Sequence, residues 1–99
     1  MNHDDVRRIA LSFPGTREHP HHGFPSFRAR TIFATLPEPQ RARILLPELD
    51  IRACAAMYPH WTREFYWGRR LAALEVDLAA CQAPELITEW LEAAYSEHR

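Results

Sequence analysis

The chain has 99 residues, which suffice for one domain built on one hydrophobic core. Hydrophobic residues make up 46% of the chain and charged residues 25%, so the composition is globular and excludes collagen, coiled coil and general disorder. No apolar run is long enough to predict a membrane-spanning helix. Residues 1–5 are polar and acidic and lack the apolar core of an export signal, so we expect a cytoplasmic protein.

All twelve cationic residues are arginine, and the charges are unevenly distributed along the chain. Residues 17–70 carry nine arginines and five acidic residues, whereas residues 71–99 carry six acidic residues and one arginine. A mildly basic middle section is therefore followed by an acidic C-terminal section. The net charge of −1 is much less basic than that of a dedicated nucleic-acid-binding domain, so any binding of DNA is expected to be weak.

The first element is predicted to be a short amphipathic helix. The apolar residues that recur at helical spacing are Val6, Ile9, Ala10 and Phe13. Pro14 and Gly15 end this helix. Residues 16–25 are interrupted by two prolines and a glycine, so they predict an irregular segment with at most a short edge strand.

Three strands are predicted between residues 26 and 46. Residues 26–30 and 41–46 alternate apolar and polar side chains, which is the pattern of an antiparallel strand with one solvated face. Residues 31–36 are rich in β-branched and aromatic side chains, which favour a strand. Because neither Gly nor Asn lies at Arg30-Thr31, a tight turn is unfavourable there and a bulge or bend is expected.

A second helix is predicted between Pro47 and Pro59. The residues expected on its buried face are Leu49, Ala53, Ala56 and Met57. Two further strands are predicted over residues 62–67 and 71–78, with Glu75 and Asp77 on the solvated side of the second. A final helix begins near residue 84, and its apolar stripe is the clearest in the chain.

The complete order is therefore helix, three strands, helix, two strands, helix. This order predicts one α+β domain over residues 1–99, with an antiparallel sheet and helices packed on one face. The residues expected in a single core between sheet and helices are Phe27, Ile44, Val76, Trp90 and Leu91.

One dense cluster of possible metal ligands lies in the segment predicted to be irregular. It consists of His19, His21 and His22. Neither a histidine pair at helical spacing nor a cysteine pair at zinc-finger spacing accompanies it, so we predict no metal and no other cofactor. Cys54 and Cys81 are expected to be reduced, buried thiols, and no catalytic residue is predicted.

Arginines on the predicted strands and in the last hairpin connection form the leading candidate site. If the strands are neighbours, the guanidinium groups make a patch that attracts anions, and the aromatic run at residues 65–67 adds rings that stack on bases. The candidates for nucleic-acid binding are Arg28, Arg30, Arg41, Arg43, Arg69 and Arg70. The alternative interpretation is that arginine marks the solvated face of the sheet and that the aromatic side chains are core.

Three parts of the chain resemble the MmcQ/YjbR family of small bacterial proteins. The segment Phe24–Arg30 followed by Ile32–Leu36 is similar to the family's "PSFRV…KIFATL" motif, and Ala10–Glu18 is similar to its "ALSLPGVTE" opening. Tyr66–Gly68 and Val76–Leu78 resemble the later hairpin of the family. The resemblance implies a single α-β3-α-β2-α domain whose hairpins bind DNA as a double wing, and it implies no catalytic residue.

This chain departs from the family pattern at both expected wing tips. Arg30-Thr31 stand where the family usually has glycine and lysine, and Leu71-Ala72 stand where it often has tryptophan. The leading hypothesis is a cytoplasmic protein without enzymatic activity that binds DNA or another polyanion weakly through the six arginines. The alternatives are a protein-interaction module and a metal-binding protein or enzyme that uses the His19, His21 and His22 cluster.

Overall fold

The computed structural model describes residues 1–99 and consists of three helices and one six-stranded antiparallel sheet. In chain order the elements are α1 (His3–Leu11), β1 (Arg17–His21), β2 (Phe24–Arg28), β3 (Ile32–Thr35), β4 (Arg41–Ile44), α2 (Glu48–Met57), β5 (Thr62–Trp67), β6 (Arg70–Asp77) and α3 (Pro84–His98). The strands lie in the order β1-β2-β3-β4-β6-β5. None of the three helices combines the length and the apolar character that crossing a membrane requires.

The predicted α+β class with an antiparallel sheet is confirmed, but the predicted division into three strands and two strands is wrong. Four strands precede α2, because the segment expected to be irregular with at most a short edge strand forms β1 at the edge of the sheet. An edge strand tolerates proline, since one side of its backbone has no ladder partner. Pro20 also lies directly opposite Pro25 of β2, so both missing N–H groups fall at one position of the ladder.

The β1–β2 hairpin turns through His22 and Gly23, whose φ angles are 52° and 85°. Positive φ at both central residues is the geometry of a type I′ turn, which matches the twist of the two flanking strands. The glycine adopts this conformation without a steric penalty, whereas a histidine adopts it only at some cost. The turn therefore holds the imidazole of His22 in a defined place at the tip of the hairpin.

The β2–β3 connection lacks turn-forming residues and is instead held by the end of α3. The backbone N–H groups of Arg30 and Thr31 donate to the carbonyl oxygen of His98 at 2.9 and 3.0 Å. The register of the two strands shifts between Phe27 and Arg28, before the Arg30-Thr31 step at which a bulge or bend is expected. A contact between residues far apart in the chain thus substitutes for local turn chemistry.

All three helices contribute to one hydrophobic cluster of 21 buried residues on a single face of the sheet. Strand β4 shows the division between the two faces. Ala42 and Ile44 are fully buried in this cluster, whereas Arg41 and Arg43 alternate with them and point to the opposite face. The predicted core residues, Phe27, Ile44, Val76, Trp90 and Leu91, all belong to the cluster.

The buried face of α2 is not the predicted one. Leu49 and Met57, which the sequence places inside, are 81% and 67% exposed. The helix instead buries Ile51, and Ala55 and Tyr58 pack beside it against the cluster. These three residues recur at a helical spacing as regular as that of the predicted set, so periodicity alone does not distinguish the two faces.

Candidate functional site on the open face of the sheet

We call the sheet face opposite the helices the open face. One row of cross-strand partners spans it from edge to edge, and the residues two positions away along each strand share the face. The row consists of His19, Ser26, Thr35, Arg43, Glu75 and Arg63. No helix packs here, yet Ser26, Thr35 and Glu75 are buried, so the sheet covers its own centre by curling.

Glu75 is the centre of the charge arrangement on the open face. Nε of Arg43 donates to one carboxylate oxygen at 3.0 Å, and Nε of Arg63 donates to the other at 2.7 Å. Burial alone would raise the pKa of Glu75, but the hydrogen bonds and charges of the two arginines outweigh it and hold the pKa below its ordinary value. The ionised carboxylate thus leaves one net positive charge in this group of three.

The expectation that Glu75 and Asp77 lie on a solvated strand face is corrected by the structure. Glu75 is only 3% exposed, because Arg43 and Arg63 cover both of its oxygens. Asp77 is half-buried and pairs with Arg41 at 3.7 Å. Arg41 and Arg43 are therefore partly compensated charges, although Glu75 engages only the Nε atom of Arg43.

Arg17 and Arg28 lie directly opposite each other on β1 and β2. Neither forms an ion pair, and the Nε atom of Arg28 is buried without a hydrogen-bond partner. Like charges directly opposite on neighbouring strands repel each other. An anion between the two guanidinium groups would relieve that repulsion, so this pair is a favourable place for a phosphate.

The six predicted arginines do not form one continuous patch. Those on the open face are Arg28, Arg41, Arg43 and Arg70. Arg28 lies in β2, whereas Arg41 and Arg43 lie in β4, and β3 separates these two strands. Arg30 lies in the β2–β3 turn beside the end of α3, and Arg69 lies in the β5–β6 turn. Sequence reasoning missed Arg17 and Arg63, whose positions depend on the register of the two edge strands.

The tips of the two outer hairpins meet across the open face. The β1–β2 turn and the β5–β6 turn lie at opposite edges and opposite ends of the sheet. Sheet twist brings these diagonal corners together, and the rings of His22 and Trp67 are 6.4 Å apart with their planes at 25°. The contact bounds a cavity of about 230 Å³. The lining includes His21, Phe24, Thr35, Arg43, Phe65 and Arg70.

The histidine cluster does not form a set of metal ligands. The rings of His21 and His22 contact each other at 4.3 Å, while His19 lies farther along β1 opposite Ser26. Nowhere in the chain do three His, Cys, Asp or Glu side chains converge so as to hold a metal ion. These histidines are instead part of the wall of the cavity and of the edge of the open face.

The two cysteines are free and half-buried, so the expectation of full burial is wrong for both. Cys54 lies in α2, on the side of the sheet away from the open face. Burial, together with the charges of Asp50 and Glu89, raises the pKa of the Cys54 thiol. A raised pKa disfavours the thiolate, so Cys54 is not an activated nucleophile.

Three comparisons with known proteins yield no match to a family model, a curated protein or a solved structure. Membership of the MmcQ/YjbR family therefore stays a prediction. The functional inference depends on the residues of the open face and on the charges around it.

Proposed function

We propose that this protein binds single-stranded nucleic acid, and single-stranded DNA in particular, on the open face of its sheet. The observation that carries the proposal is the presence, on this face and its rim, of uncompensated arginines beside aromatic rings. Of the six arginines without an ion pair, those on this face and its rim are Arg17, Arg28, Arg69 and Arg70. Trp67, which immediately precedes the β5–β6 turn, is 64% exposed. The proposal keeps the MmcQ/YjbR expectation of DNA-binding hairpins.

The distribution of charge supports an anionic ligand on this face. Within the acidic C-terminal section, Glu75 and Asp77 lie on the open face and are paired with arginines, whereas α3 packs on the other face of the sheet and exposes Glu85, Glu89 and Glu92. A polyanion is repelled from that side and attracted to the arginine side, even though the whole chain has a net charge of −1. The net charge of the chain therefore lowers the affinity for a polyanion, but it does not determine which face the polyanion binds.

A single strand suits the open face better than a duplex. Exposed rings such as that of Trp67 stack on unpaired bases, which a duplex keeps inside its own stack. Reading a duplex usually requires a helix or strand pair that enters the major groove. All three helices lie on the far side of this sheet, and the tips of the two outer hairpins contact each other through His22 and Trp67 instead of projecting freely. Contacts with a duplex would therefore be restricted to phosphates.

The experiment is a titration of labelled single-stranded and duplex oligonucleotides, followed by fluorescence anisotropy at two salt concentrations. If four arginines neutralise about four phosphates, the affinity for the single strand falls roughly 50-fold between about 50 and 200 mM salt. The single strand should bind more tightly than the duplex, with little sequence preference. A protein that binds neither form at low salt would refute the proposal.

Charge-reversal variants test the face. Arg69→Glu with Arg70→Glu changes two exposed side chains and should weaken binding by about tenfold or more at low salt. Arg17→Gln with Arg28→Gln should weaken binding without adding acidic charge. The matched control, Arg8→Glu with Arg52→Glu, changes the net charge equally but on the helix side, and it should leave most of the affinity. Equal losses in the control would show a net-charge effect and not a site.

A second candidate, the protein-interaction module, is favoured by the outer face of α2. Leu49 and Met57 are largely exposed there, and the exposed Ala53 and Ala56 lie between them at helical spacing. Small residues flanked by large apolar ones allow a second helix to approach closely. Sedimentation velocity over a range of concentrations, with Leu49→Glu as the comparison, measures whether this face joins two copies of the chain.

A further inference from the structure

One residue in the wall of the cavity between the two hairpins, His22, has an unfavourable backbone conformation. His22 occupies the first central position of the type I′ turn at a φ of 52°, where Asn, Asp or Gly is the usual residue. Its ring contacts those of His21 and Trp67. A strained residue whose side chain closes a cavity is a reason to ask what the cavity holds.

The walls of the cavity are suited to a flat apolar ring. Phe24 and His21 form one wall, with their ring centres 6.3 Å apart, and Phe65 and Trp67 form the other at 6.4 Å. Phe24, Phe65 and His21 are half-buried, whereas Trp67 is mostly exposed at the mouth. A planar heterocycle that enters between these walls exchanges water for aromatic surface on both sides.

The floor and rim of the cavity are suited to an anion. The guanidinium carbon of Arg43 lies 3.7 Å from the centre of the Phe65 ring, and only its Nε donates to Glu75. Because Arg43 and Arg63 share one carboxylate, the floor keeps a net positive charge. Arg70 lines the same cavity and forms no ion pair, and Thr35 adds a hydroxyl group.

The volume limits the size of the ligand. Pockets for drug-sized ligands and cofactors usually measure about 300–1,000 Å³, so a cavity of about 230 Å³ lies below that range. It has space for one ring system with a small anionic group and not for a dinucleotide cofactor. Recognition of a flat ring and of an anion at adjacent positions is the chemistry of a single nucleotide.

We propose that this cavity is a pocket for one nucleotide, with the base between Phe24 and Phe65 and the phosphate on Arg43 and Arg70. This inference rests on the proposed function, because it takes the nucleotide to be part of a bound single strand. The same chemistry recognises a free nucleoside monophosphate. His22 and Trp67 then act as a clasp across the mouth, and the tips of the hairpins separate to admit the base.

The experiment is a titration of the ¹⁵N-labelled protein with a nucleoside monophosphate, the matching nucleoside and inorganic phosphate, followed by NMR. The monophosphate should shift the amide signals of Thr35 and Ala73 and the indole signal of Trp67, and it should bind more tightly than the nucleoside or phosphate. The Trp67 indole is a clean probe because Trp61 and Trp90 are buried in the core.

Three substitutions test the pocket against one control. Ala73→Met fills the cavity, Trp67→Ala removes half of the clasp, and His22→Asn keeps a residue that favours the turn but removes the imidazole. Each should weaken binding of the monophosphate by about tenfold or more, since stacking on aromatic rings contributes a large part of such affinity. Tyr66→Ala is the control, because Tyr66 is the exposed neighbour on the other side of β5 and bonds to Glu64. It should leave binding unchanged.

The outcomes separate this inference from the proposed function. If a single strand binds but the monophosphate shifts no cavity signal and Ala73→Met leaves strand affinity unchanged, the pocket is refuted and strand binding stands. If the monophosphate binds and the strand does not, strand binding is refuted and the pocket takes free nucleotides. If Trp67→Ala and Tyr66→Ala have equal effects, the aromatic contact is unspecific and the pocket is refuted.

Discussion

On one face of the sheet Phe27, Ile44 and Leu74 are fully buried beneath three helices, whereas on the open face Ser26 and Glu75 are buried with no helix above them. The helix face excludes water with apolar side chains, as most protein cores do. The open face excludes water from polar groups by curling the sheet and by pairing Glu75 with two arginines. The two faces therefore bury residues of opposite chemistry in one sheet.

The two faces contribute differently to the stability of the chain. The hydrophobic effect is non-directional and is the dominant favourable term in folding. The apolar side chains buried on the helix face therefore supply most of the folding free energy. A buried ion pair contributes little net stability, because the loss of hydration offsets the attraction. Folding alone thus does not account for the unpaired arginines and the cavity of the open face, which are the features that the proposed ligand would use.

The largest effect expected in this comparison concerns Trp90 on the helix face. Trp90 is 7% exposed and stacks on Trp61 with ring centres 5.4 Å apart. Trp90→Ala should lower the free energy of unfolding by about 3–5 kcal/mol, the usual cost of emptying a large aromatic site. Urea denaturation at neutral pH measures this change. The open-face control, Trp67→Ala, should change it by less than about 0.5 kcal/mol, because that ring is mostly exposed.

An intermediate effect is expected for Glu75. Glu75→Gln keeps the shape but removes the charged partner of Arg43 and Arg63. Although the intact ion pairs add little net stability, the loss of one partner leaves uncompensated charge, so the free energy of unfolding should fall by about 1.5–3 kcal/mol at pH 7. Glu64→Gln is the control, since Glu64 is half-buried on the other side of β5 and its ion pair with Arg52 is long, at 3.9 Å. It should change the free energy of unfolding by less than about 1 kcal/mol. Equal losses in both variants would contradict the central role of Glu75.

The lowered pKa of Glu75 also predicts how the free energy of unfolding depends on pH. Because the pKa of Glu75 is lower in the folded state than in the unfolded state, its contribution is complete above the unfolded pKa of about 4.3 and is lost as pH falls through the folded-state value. Below about pH 4.5 the free energy of unfolding should therefore fall less steeply in Glu75→Gln than in the unchanged protein. Denaturation curves at several acidic pH values give the slopes, and identical slopes would show that Glu75 does not titrate abnormally.

The smallest effect is expected for metal removal. No three ligand side chains converge in the structure, so dialysis against EDTA should leave the melting temperature unchanged. Added Zn²⁺, compared between the unchanged protein and His22→Asn, serves as the control for adventitious binding to the hairpin histidines. A fall of many degrees after EDTA would mean that the cluster at residues 19–22 is a structural metal site.

Much of the fold could be predicted because its signals are local. The first helix begins at a reciprocal cap in which Asn2 and Asp5 bond to each other's backbone N–H groups, and such caps are visible in the sequence. The stripe of α3 is equally local, and the predicted core residues Trp90 and Leu91 on it are buried. The error at α2 has a physical reason. Two apolar stripes recur there at helical spacing, and only packing against β5 and β6 decides that Ile51 is inside.

The candidate site could be predicted only in part. Arginine in strand-like segments indicated an anion-binding face, and four of the six predicted residues lie on it. The sequence did not indicate that Glu75 compensates Arg43, because the two residues meet only through the register of β4 and β6. It also gave no sign of the cavity, since His22 and Trp67 approach each other through the twist of the whole sheet.

The helices, most of the strands, the α+β class and the apolar core could be predicted from the sequence, because periodicity and caps act over a few residues. The β2–β3 turn, which closes on the carbonyl of His98, and the opposition of Arg17 and Arg28 arise only when the whole chain has folded. The enclosure of the cavity arises in the same way. These features depend on strand order, register and twist, and each of these results from many weak preferences along the entire chain.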